Sequence, residues 1–582
     1  MVRLSSALIV LTLISLLQPV LPAQIQQQAL RRLEDDYWDF ALRERPDLGL
    51  VAGEVRYNDR LPNYSLAHVQ EVKAQEEGLL RRALAIDTSQ SGEQEQLDKA
   101  LLVRLLKDRL ESIRWKTYEM PVDQFNGVQI WLPQIATLAP FNTVRHYQDW
   151  IARLHQVPRV LNQVTEVLRH GMQDHLMPPR YLLEKAVEQT RLLASARGLA
   201  NPFAAPATHI PANFAAADRK RLREGIVAAV DNEVRPAYTQ FQEFLSSNYA
   251  PKGRSEFGIW SLPDGDARYR FAIHLQSSMD LPPAQIHQLG LTQVAEVEKQ
   301  IAALAKKAGY PDAKSFTTAV HADPRLKAKS REQILDNFRH YIAQMEPKLP
   351  QLFGLLPKNR LVVTSVPAYM EKDSSTQYQP GSADGSRAGQ VWVDTYDPTQ
   401  HDMLDDEATA YHEGVPGHHM QISITLERPG LHPFHRESAD VMNAYVEGWA
   451  LYAERLGKEV GFYQAPASDL GRLQSELFRA VRLVVDTGVH YKHWTRQQMA
   501  DYFQQHMGFL EQAEIDRYIA WPGQALGYKL GQLKIIELRE KAHAQLGKKF
   551  DLRSFHDEVL SAGPMPLDLL QTRVENWLAR QR

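Results

Sequence analysis

One short segment of this chain combines side chains that bind metal ions with one that can move protons. Residues 412–419 read His-Glu-Gly-Val-Pro-Gly-His-His. In zinc hydrolases with the pattern His-Glu-x-x-His, two histidines one helical turn apart bind the ion, and the glutamate between them takes a proton from the attacking water. His412 and Glu413 match the start of that pattern, but Pro416 stands where the second histidine is expected. The segment predicts a metal site only if a later histidine can reach the ion.

Helix geometry tests which later histidine that is. On a regular α-helix, with about 100° and 1.5 Å per residue, His418 points roughly 120° away from His412, and His419 lies about 10.5 Å along the axis. Pro416 cannot donate to the carbonyl of His412, and Gly417 accepts unusual dihedral angles, so the helix is expected to bulge or break there. His418 needs the smaller distortion and is the predicted second ligand, with His419 as the alternative.

The third ligand is expected on a later helix. Residues 440–454 form a helical run that is nearly apolar apart from its acids. Glu447 lies in its middle, and a carboxylate among apolar neighbours is unfavourable to bury unless it is paired or bound to a metal. Glu447 is therefore the predicted third ligand, with Glu454 as the alternative. Glu454 or Asp440 could instead hold the second nitrogen of a ligand histidine. The simpler interpretations are an exposed acid and an ordinary helix end with surface histidines.

Four segments resemble the signature of the bacterial domain-of-unknown-function family 885: 412–419, 447–454, 485–490 and 522–529. The resemblance extends over nearly all of the chain after residue 23. It implies a largely helical fold similar to gluzincin metallopeptidases, with the active site between helical halves and a small sheet at the cleft. It also implies a zinc peptidase, without naming a substrate. The spacing of the histidines departs from His-Glu-x-x-His, although some gluzincins carry a longer spacing.

Other polar residues could act on a substrate. Arg482, Asp486 and His490 recur every four residues on one predicted helix. Asp486 could orient His490, which could then donate to a tetrahedral oxyanion; a solvated ion-pair face fits the spacing equally well, and the resemblance favours function. Tyr528 could donate to the same oxyanion, although the residues alone favour a tyrosine that fills the core. Arg517 could bind a substrate carboxylate or lie on the surface.

The remaining pattern predicts a mainly α protein with one short β insertion. Helical periodicity dominates up to about residue 350, and β-rich runs follow at 361–366 and 390–395. We expect one large helical, gluzincin-like domain over residues 24–582, with an N-terminal helical part at about 24–350 and a metal-site part at about 357–582. The free edge of the strand at 390–395 could take an extended peptide by strand addition.

Composition limits the other function classes. The chain has 582 residues, a net charge of −3 and no cysteine. The near-neutral charge argues against nucleic-acid binding, and the lack of cysteine leaves no disulfide, no thiolate ligand and no cysteine for lipid attachment. Residues 1–23 are typical of a secretory signal peptide, with an uncleaved membrane anchor as the alternative. The mature protein is therefore expected in the periplasm or outside the cell, without a membrane segment.

The sequence thus predicts an exported peptidase with one zinc ion and a peptide or amide as its substrate. The alternatives are a zinc amidohydrolase acting on non-peptide amides and a non-catalytic peptide-binding protein. The oligomeric state stays open. The residues predicted to carry the function are three zinc ligands, one general base and two oxyanion donors: His412, His418 and Glu447; Glu413; and His490 and Tyr528.

Overall fold

The computed structural model describes residues 22–125, 127–367, 371, 375–382, 385, 387–435 and 442–581. As predicted, this part of the chain is mainly α, with 70% helix. No helix within it is long and apolar enough to cross a membrane. The helices, in chain order, are α1 (Pro22–Glu44), α2 (Pro46–Ala52), α3 (Leu66–Ala85), α4 (Glu93–Arg114), α5 (Val128–Leu138), α6 (Val144–Leu154), α7 (Val157–Gln173), α8 (Arg180–Ser195), α9 (Ala216–Ala229), α10 (Arg235–Phe244), α11 (Gly265–Ser277), α12 (Pro283–Lys307), α13 (Ala313–His321), α14 (Arg331–Met345), α15 (Leu349–Leu352), α16 (Asp406–Glu413), α17 (His418–Glu427), α18 (Asn443–Glu459), α19 (Pro466–His490), α20 (Arg496–Met507), α21 (Gln512–Ala520), α22 (Leu526–Leu546), α23 (Leu552–Leu560) and α24 (Leu567–Gln581).

Two predictions fall mostly or wholly outside these residues. The signal-peptide prediction concerns residues 1–23, of which only the last two belong to a described element, α1. Asp440, one candidate partner for a ligand histidine, also lies outside the described residues. Both stay predictions.

A small sheet stands between α15 and α16. Its strands are β1 (Leu361–Ser365), β2 (Gln377–Gln379) and β3 (Gly389–Val393). β3 is central, because it pairs with β1 in parallel and with β2 in antiparallel orientation. The prediction that the strand at 390–395 offers a free edge is therefore wrong. β2 lies at one edge instead, and its three polar or aromatic residues are too few to be recognised as a strand from sequence.

Buried apolar side chains connect the beginning of the chain to its end. One core joins α1, α3 and α4 to α14, the sheet, α16–α18 and α22–α24. A second core holds α5–α10 together, and a third joins α12 and α13 to α19–α21. In α4, for example, Leu97, Leu101 and Leu105 recur every four residues and are buried, as expected for a helix with one apolar face. The first helices thus stabilise the elements that carry the candidate metal site.

Three long helices, α18, α19 and α22, frame that site. α18 crosses α22 at Gly448 and Gly531, where a Cβ on Gly448 would lie 2.4 Å from the Cα of Gly531. Only glycine allows two backbones to approach so closely. α19 follows α18 after six residues and runs back along it, and Ser475 donates a hydrogen bond to Oε2 of Glu454 at 2.8 Å. The backbone contact and this hydrogen bond set the register of the three helices.

Candidate metal centre

The helix that carries His412 ends directly after it. α16 stops at Glu413, and α17 begins at His418. The four residues between them form a turn, in which Pro416 has no N–H for the carbonyl of His412. Gly417 packs so closely on that carbonyl that a Cβ would lie 1.9 Å from its oxygen. The helix therefore breaks, and the turn carries the chain back so that α17 begins beside His412.

This break brings the three predicted ligands together. One donor atom of each of His412, His418 and Glu447 lies within 4.8 Å of the others. Nε2 of His412 and Nε2 of His418 are each 3.5 Å from Oε2 of Glu447. In a tetrahedral zinc site with bonds of about 2.0–2.1 Å, neighbouring donor atoms are about 3.3–3.4 Å apart. The side chains thus have nearly the donor spacing that fits a tetrahedral cation.

The second nitrogen of His412 is held by another carboxylate. Nδ1 of His412 lies 2.8 Å from Oε1 of Glu454, whose other oxygen accepts the hydrogen bond from Ser475. A carboxylate in this position fixes the tautomer that leaves Nε2 for a metal. Glu454 therefore orients a ligand candidate, which is one of the two roles predicted for it. Nδ1 of His418 is buried and has no hydrogen-bond partner among the described residues.

The charges of the cluster favour a cation. Burial lowers the pKa of His412, but hydrogen bonds to Glu447 and Glu454 outweigh burial and raise that pKa to about 10. Burial acts to raise the pKa of Glu447, but the imidazoles of His412 and His418 hold it well below its usual range. The carboxylates thus stabilise a positive charge at this point, which a metal ion can supply in place of a proton.

Glu413 lies beside the cluster and next to the sheet edge. Burial raises the pKa of Glu413, and the charges of His412 and His418 partly offset this effect. The backbone N–H of Tyr378 in β2 also hydrogen-bonds to its carboxylate. Along an edge strand, backbone N–H groups point alternately towards the neighbouring strand and away from it. The N–H of Tyr378 that reaches Glu413 is one of those that point away from β3. The outer edge of β2 therefore faces Glu413, and nothing in the sequence indicated a role for Tyr378.

His419 faces the sheet instead of the cluster. Its Nδ1 lies 3.0 Å from the hydroxyl of Tyr378, and its Nε2 lies 3.1 Å from the carbonyl oxygen of Asn359. Burial lowers the pKa of His419 to about 4, so the ring is neutral near pH 7. The two nitrogens connect α17 to β2 and to the segment just before β1. The geometry therefore favours His418 over His419 as the second ligand.

The predicted hydrogen bond from His490 to Asp486 is not formed. Asp486 accepts from the hydroxyl of Tyr269 at 2.6 Å and from the N–H of Gly523 at 3.0 Å. Both Asp486 and His490 are fully buried, so the solvated ion-pair face is also wrong. One helical turn separates the two side chains, but each faces a different part of the protein. The spacing alone could not show this.

Both ring nitrogens of His490 contact the backbone. Its Nδ1 accepts from the N–H of Ile259 at 3.0 Å, and its Nε2 donates to the carbonyl of Tyr518 at 2.9 Å. Burial lowers the pKa of His490 to about 3, so the ring is neutral and matches this donor and acceptor pair. Neither nitrogen is available to an oxyanion in this arrangement. His490 ties the segment before α11 to the end of α21.

Tyr528 lies close to the level of the cluster. Glu454 contacts Ser475 across the antiparallel helices α18 and α19. Seven residues, or about two turns, return a helix to nearly the same face. Glu447 lies seven residues before Glu454, and Arg482 lies seven residues after Ser475. In antiparallel helices these two positions are at about the same height. The guanidinium carbon of Arg482 is 4.4 Å from the ring centroid of Tyr528. The phenol of Tyr528 therefore lies at about the same height along these helices as Glu447.

The hydroxyl of Tyr528 has a free hydrogen. It accepts a hydrogen bond from Nη2 of Arg517 at 3.2 Å, and no described residue accepts its own hydrogen. Tyr528 is 7% exposed and the side chain of Arg517 is 15% exposed, so neither lies on the open surface. This geometry suits an oxyanion donor better than that of His490 does.

Comparison with known proteins places these features in a family. A family described as "Bacterial protein of unknown function (DUF885)" matches residues 46–574. The chain belongs to this family. Its structure is similar to two solved members of the same fold, each called a "putative lipoprotein". The one from Colwellia psychrerythraea has a TM-score of 0.90 and 31% sequence identity, covering 95% of this chain and 100% of its own.

The second solved structure, from Shewanella oneidensis, is described as of unknown function. It has a TM-score of 0.69 and 20% identity, and covers 93% of this chain and 99% of its own. At this identity the likeness shows the fold alone. No curated protein matches the chain. The DUF885 family and its fold are therefore shown, while the chemistry of the cluster has to be argued from its residues.

Proposed function

We propose that this DUF885 protein is an exported zinc-dependent peptidase. The observation that carries the proposal is the convergence of His412, His418 and Glu447, with both imidazoles 3.5 Å from one carboxylate oxygen and Glu413 beside them. Two imidazoles and one carboxylate leave a fourth position open, as catalytic zinc sites do. A purely structural site would be closed by a fourth protein ligand, and among the described residues only His412, His418 and Glu447 have donor atoms grouped at this point.

The residues divide the chemistry between them. A zinc ion bound there would polarise a carbonyl and make water more acidic. Glu413 takes the proton of the attacking water and passes it to the leaving amine. Tyr528 donates its free hydroxyl hydrogen to the oxyanion of the tetrahedral intermediate. Glu454 keeps His412 in the tautomer that presents Nε2.

The sheet edge supports a peptide over other amides. The outer edge of β2 faces Glu413, because the N–H of Tyr378 points to that carboxylate. An extended chain can add to such an edge by backbone hydrogen bonds, which would bring one of its peptide bonds beside Glu413. A small acylated amino acid would use little of this edge.

Export is supported by two independent features. Residues 1–23 are typical of a signal peptide. The solved relative from Colwellia psychrerythraea is called a "putative lipoprotein", and lipoproteins are exported from the cytoplasm. We therefore infer a periplasmic or secreted location for this chain.

Metal analysis and a single substitution test the proposal. The purified protein should contain about one zinc per chain, and a chelator should abolish cleavage of a mixture of unmodified peptides. Glu413→Gln should lower kcat at least 100-fold and leave the zinc content unchanged. Glu537→Gln is the control, because Glu537 lies on the exposed face of α22 beside Lys534. Full activity of Glu413→Gln, or a protein that does not bind zinc, would contradict the proposal.

A further inference from the structure

A cavity of about 360 Å³ lies between the N-terminal and C-terminal parts of the chain. Its walls are mostly apolar and come from the end of α4, the loop after it, α11 and the end of α21. This volume is in the range of small-ligand sites, roughly 300–1,000 Å³. The large side chains that line it include Trp115, Phe125, Ile259, Phe271, Ile519 and Trp521.

The walls of the cavity are fixed to the helix that also supports the metal cluster. His490 bonds to Ile259 and to Tyr518, directly before Ile519. Asp486 bonds to Gly523, two residues after Trp521. Asp486 and His490 lie at the C-terminal end of α19, whereas Ser475 on the same helix contacts Glu454. The cavity and the cluster are thus held at a constant separation by one helix.

Arg517 lies next to two of the aromatic rings that line the cavity. Its guanidinium carbon is 5.6 Å from the ring centroid of Phe125 and 6.0 Å from that of Trp521, and both rings line the cavity. Its Nη2 donates to Tyr528, the phenol at the level of Glu447. Arg517 therefore contacts both the wall of the cavity and the phenol that we propose to act at the metal cluster.

Two nitrogens of the Arg517 guanidinium, Nε and Nη2, make no hydrogen bond to a carboxylate among the described residues. Nε is buried and has no hydrogen-bond partner among the described residues. Nη2 contacts only neutral oxygens, those of Gln524 at 2.7 Å and Tyr528 at 3.2 Å. The Nε and Nη2 hydrogens of arginine form the fork that binds a carboxylate with two hydrogen bonds.

The local charge also favours an anion. Arg482 and Arg517 both pair with Glu514, at 2.9 Å and 3.2 Å. Nη1 of Arg482 is a second buried donor without a partner among the described residues. Two guanidinium groups therefore share one carboxylate in a buried place, and a second carboxylate would balance them.

We propose that the cavity and Arg517 together bind the last residue of a peptide substrate. A large apolar side chain enters the cavity, and the free α-carboxylate binds Arg517. This inference rests on the proposed peptidase activity and specifies it as removal of the C-terminal residue. Water adds across the last peptide bond, giving a shortened peptide and a free apolar amino acid.

Calorimetry on the zinc-loaded Glu413→Gln protein tests binding without turnover. The probes are acetyl-Ala-Ala-Phe, its C-terminal amide and acetyl-Ala-Ala-Gly. The free acid ending in phenylalanine should bind about 10- to 100-fold more tightly than either of the others, because each lacks one of the two contacts. Equal affinities for the acid and the amide would overturn the inference.

Two substitutions separate the contacts. Arg517→Gln should abolish the preference for the acid over the amide, and Leu275→Trp, which fills part of the cavity, should abolish the preference for phenylalanine over glycine. Arg169→Gln is a matched control, since Arg169 also pairs with a glutamate three residues earlier and lies over an aromatic ring. If Arg517→Gln does not fold, Arg517→Lys should reduce the preference for the acid. An unchanged preference in either Arg517 variant contradicts the inference.

Hydrolysis by the unmodified protein distinguishes the two proposals. Cleavage of amidated and free peptides at equal rates would overturn the inference and leave the peptidase proposal intact. Failure to cleave any peptide, whether at its end or internally, would overturn the proposed function itself. Release of free phenylalanine from the acid, with no cleavage of the amide, supports both.

Discussion

Two groups of histidines and acids can be compared in this protein. In the first, His412 and His418 converge with Glu447, and their Nε2 atoms lie 3.5 Å from one carboxylate oxygen. In the second, Asp486 and His490 lie one turn apart on α19, but each bonds to other groups. The residue types are alike. The difference lies in the partners, which are carboxylates in the first group and mainly backbone groups in the second.

This difference separates a candidate cation site from a structural contact. The pKa of His412 is raised to about 10 by its carboxylates, whereas burial among neutral groups lowers that of His490 to about 3. A cation is stabilised in the first place and disfavoured in the second. The charge of the groups around a buried histidine thus indicates whether the histidine can help to bind a cation.

The largest effect is expected for the pair of adjacent histidines in the break. His418→Ala should abolish stoichiometric zinc binding, because two remaining ligands cannot complete the site. His419→Ala should retain about one zinc per chain, since His419 bonds to Tyr378 and Asn359. Zinc content after dialysis measures both. Loss of zinc from His419→Ala alone would reverse the assignment.

The next effect separates the two predicted oxyanion donors. Tyr528→Phe should lower kcat by about 100- to 1,000-fold with little change in KM, as removal of an oxyanion donor does. His490→Gln should change kcat far less, because both of its ring nitrogens are engaged by the backbone. Steady-state kinetics with one peptide compares the two. A larger loss of kcat in His490→Gln than in Tyr528→Phe, in a protein of unchanged thermal stability, would contradict the assignment of Tyr528 as the oxyanion donor.

A smaller effect is expected from the carboxylate behind His412. Glu454→Gln should weaken zinc binding by about 10- to 100-fold, because such partners orient ligand histidines. Competition with a chelator of known affinity gives the dissociation constant for zinc. Glu459→Gln, near the end of the same helix and paired with Arg539, is the control. Equal affinity in Glu454→Gln and the unmodified protein would show that Glu454 does not act through the metal site.

The last prediction concerns the pH dependence of stability at the second group, which does not involve the metal. Burial raises the pKa of Asp486 from 3.8 to about 7, so the folded protein holds this proton more tightly than the unfolded chain. The stability that Asp486 contributes is therefore lost as pH rises from about 4 to about 7, by roughly 1 kcal/mol per pH unit. Asp486→Asn should remove this decline.

Denaturant unfolding at several pH values measures the decline. The free energy of unfolding of the unmodified protein, relative to Asp486→Asn, should fall across this range. The exposed Asp501→Asn should not alter the slope. A relative stability that rises with pH would contradict the sign.

The sequence predicted the mainly α fold and the residues of the cluster for identifiable reasons. Pro416 and Gly417 indicated where the helix breaks, and Glu447 stood among apolar neighbours. The roles of Tyr378 and Arg517 depend on contacts between segments that are distant in sequence. The hydrogen bonds of His490 to Ile259 and Tyr518 do so as well. Neither periodicity nor spacing reports such contacts, which is why the same regular pattern predicted an Asp486–His490 pair that does not form.

The crossing of α18 and α22 has a consequence for engineering this protein. Glu447 directly precedes Gly448, whose backbone touches that of Gly531. The proposed third ligand is therefore positioned by a contact between two backbones. The side chains around the cluster can therefore be varied, whereas a methyl group at either glycine would push the two backbones apart and shift Glu447.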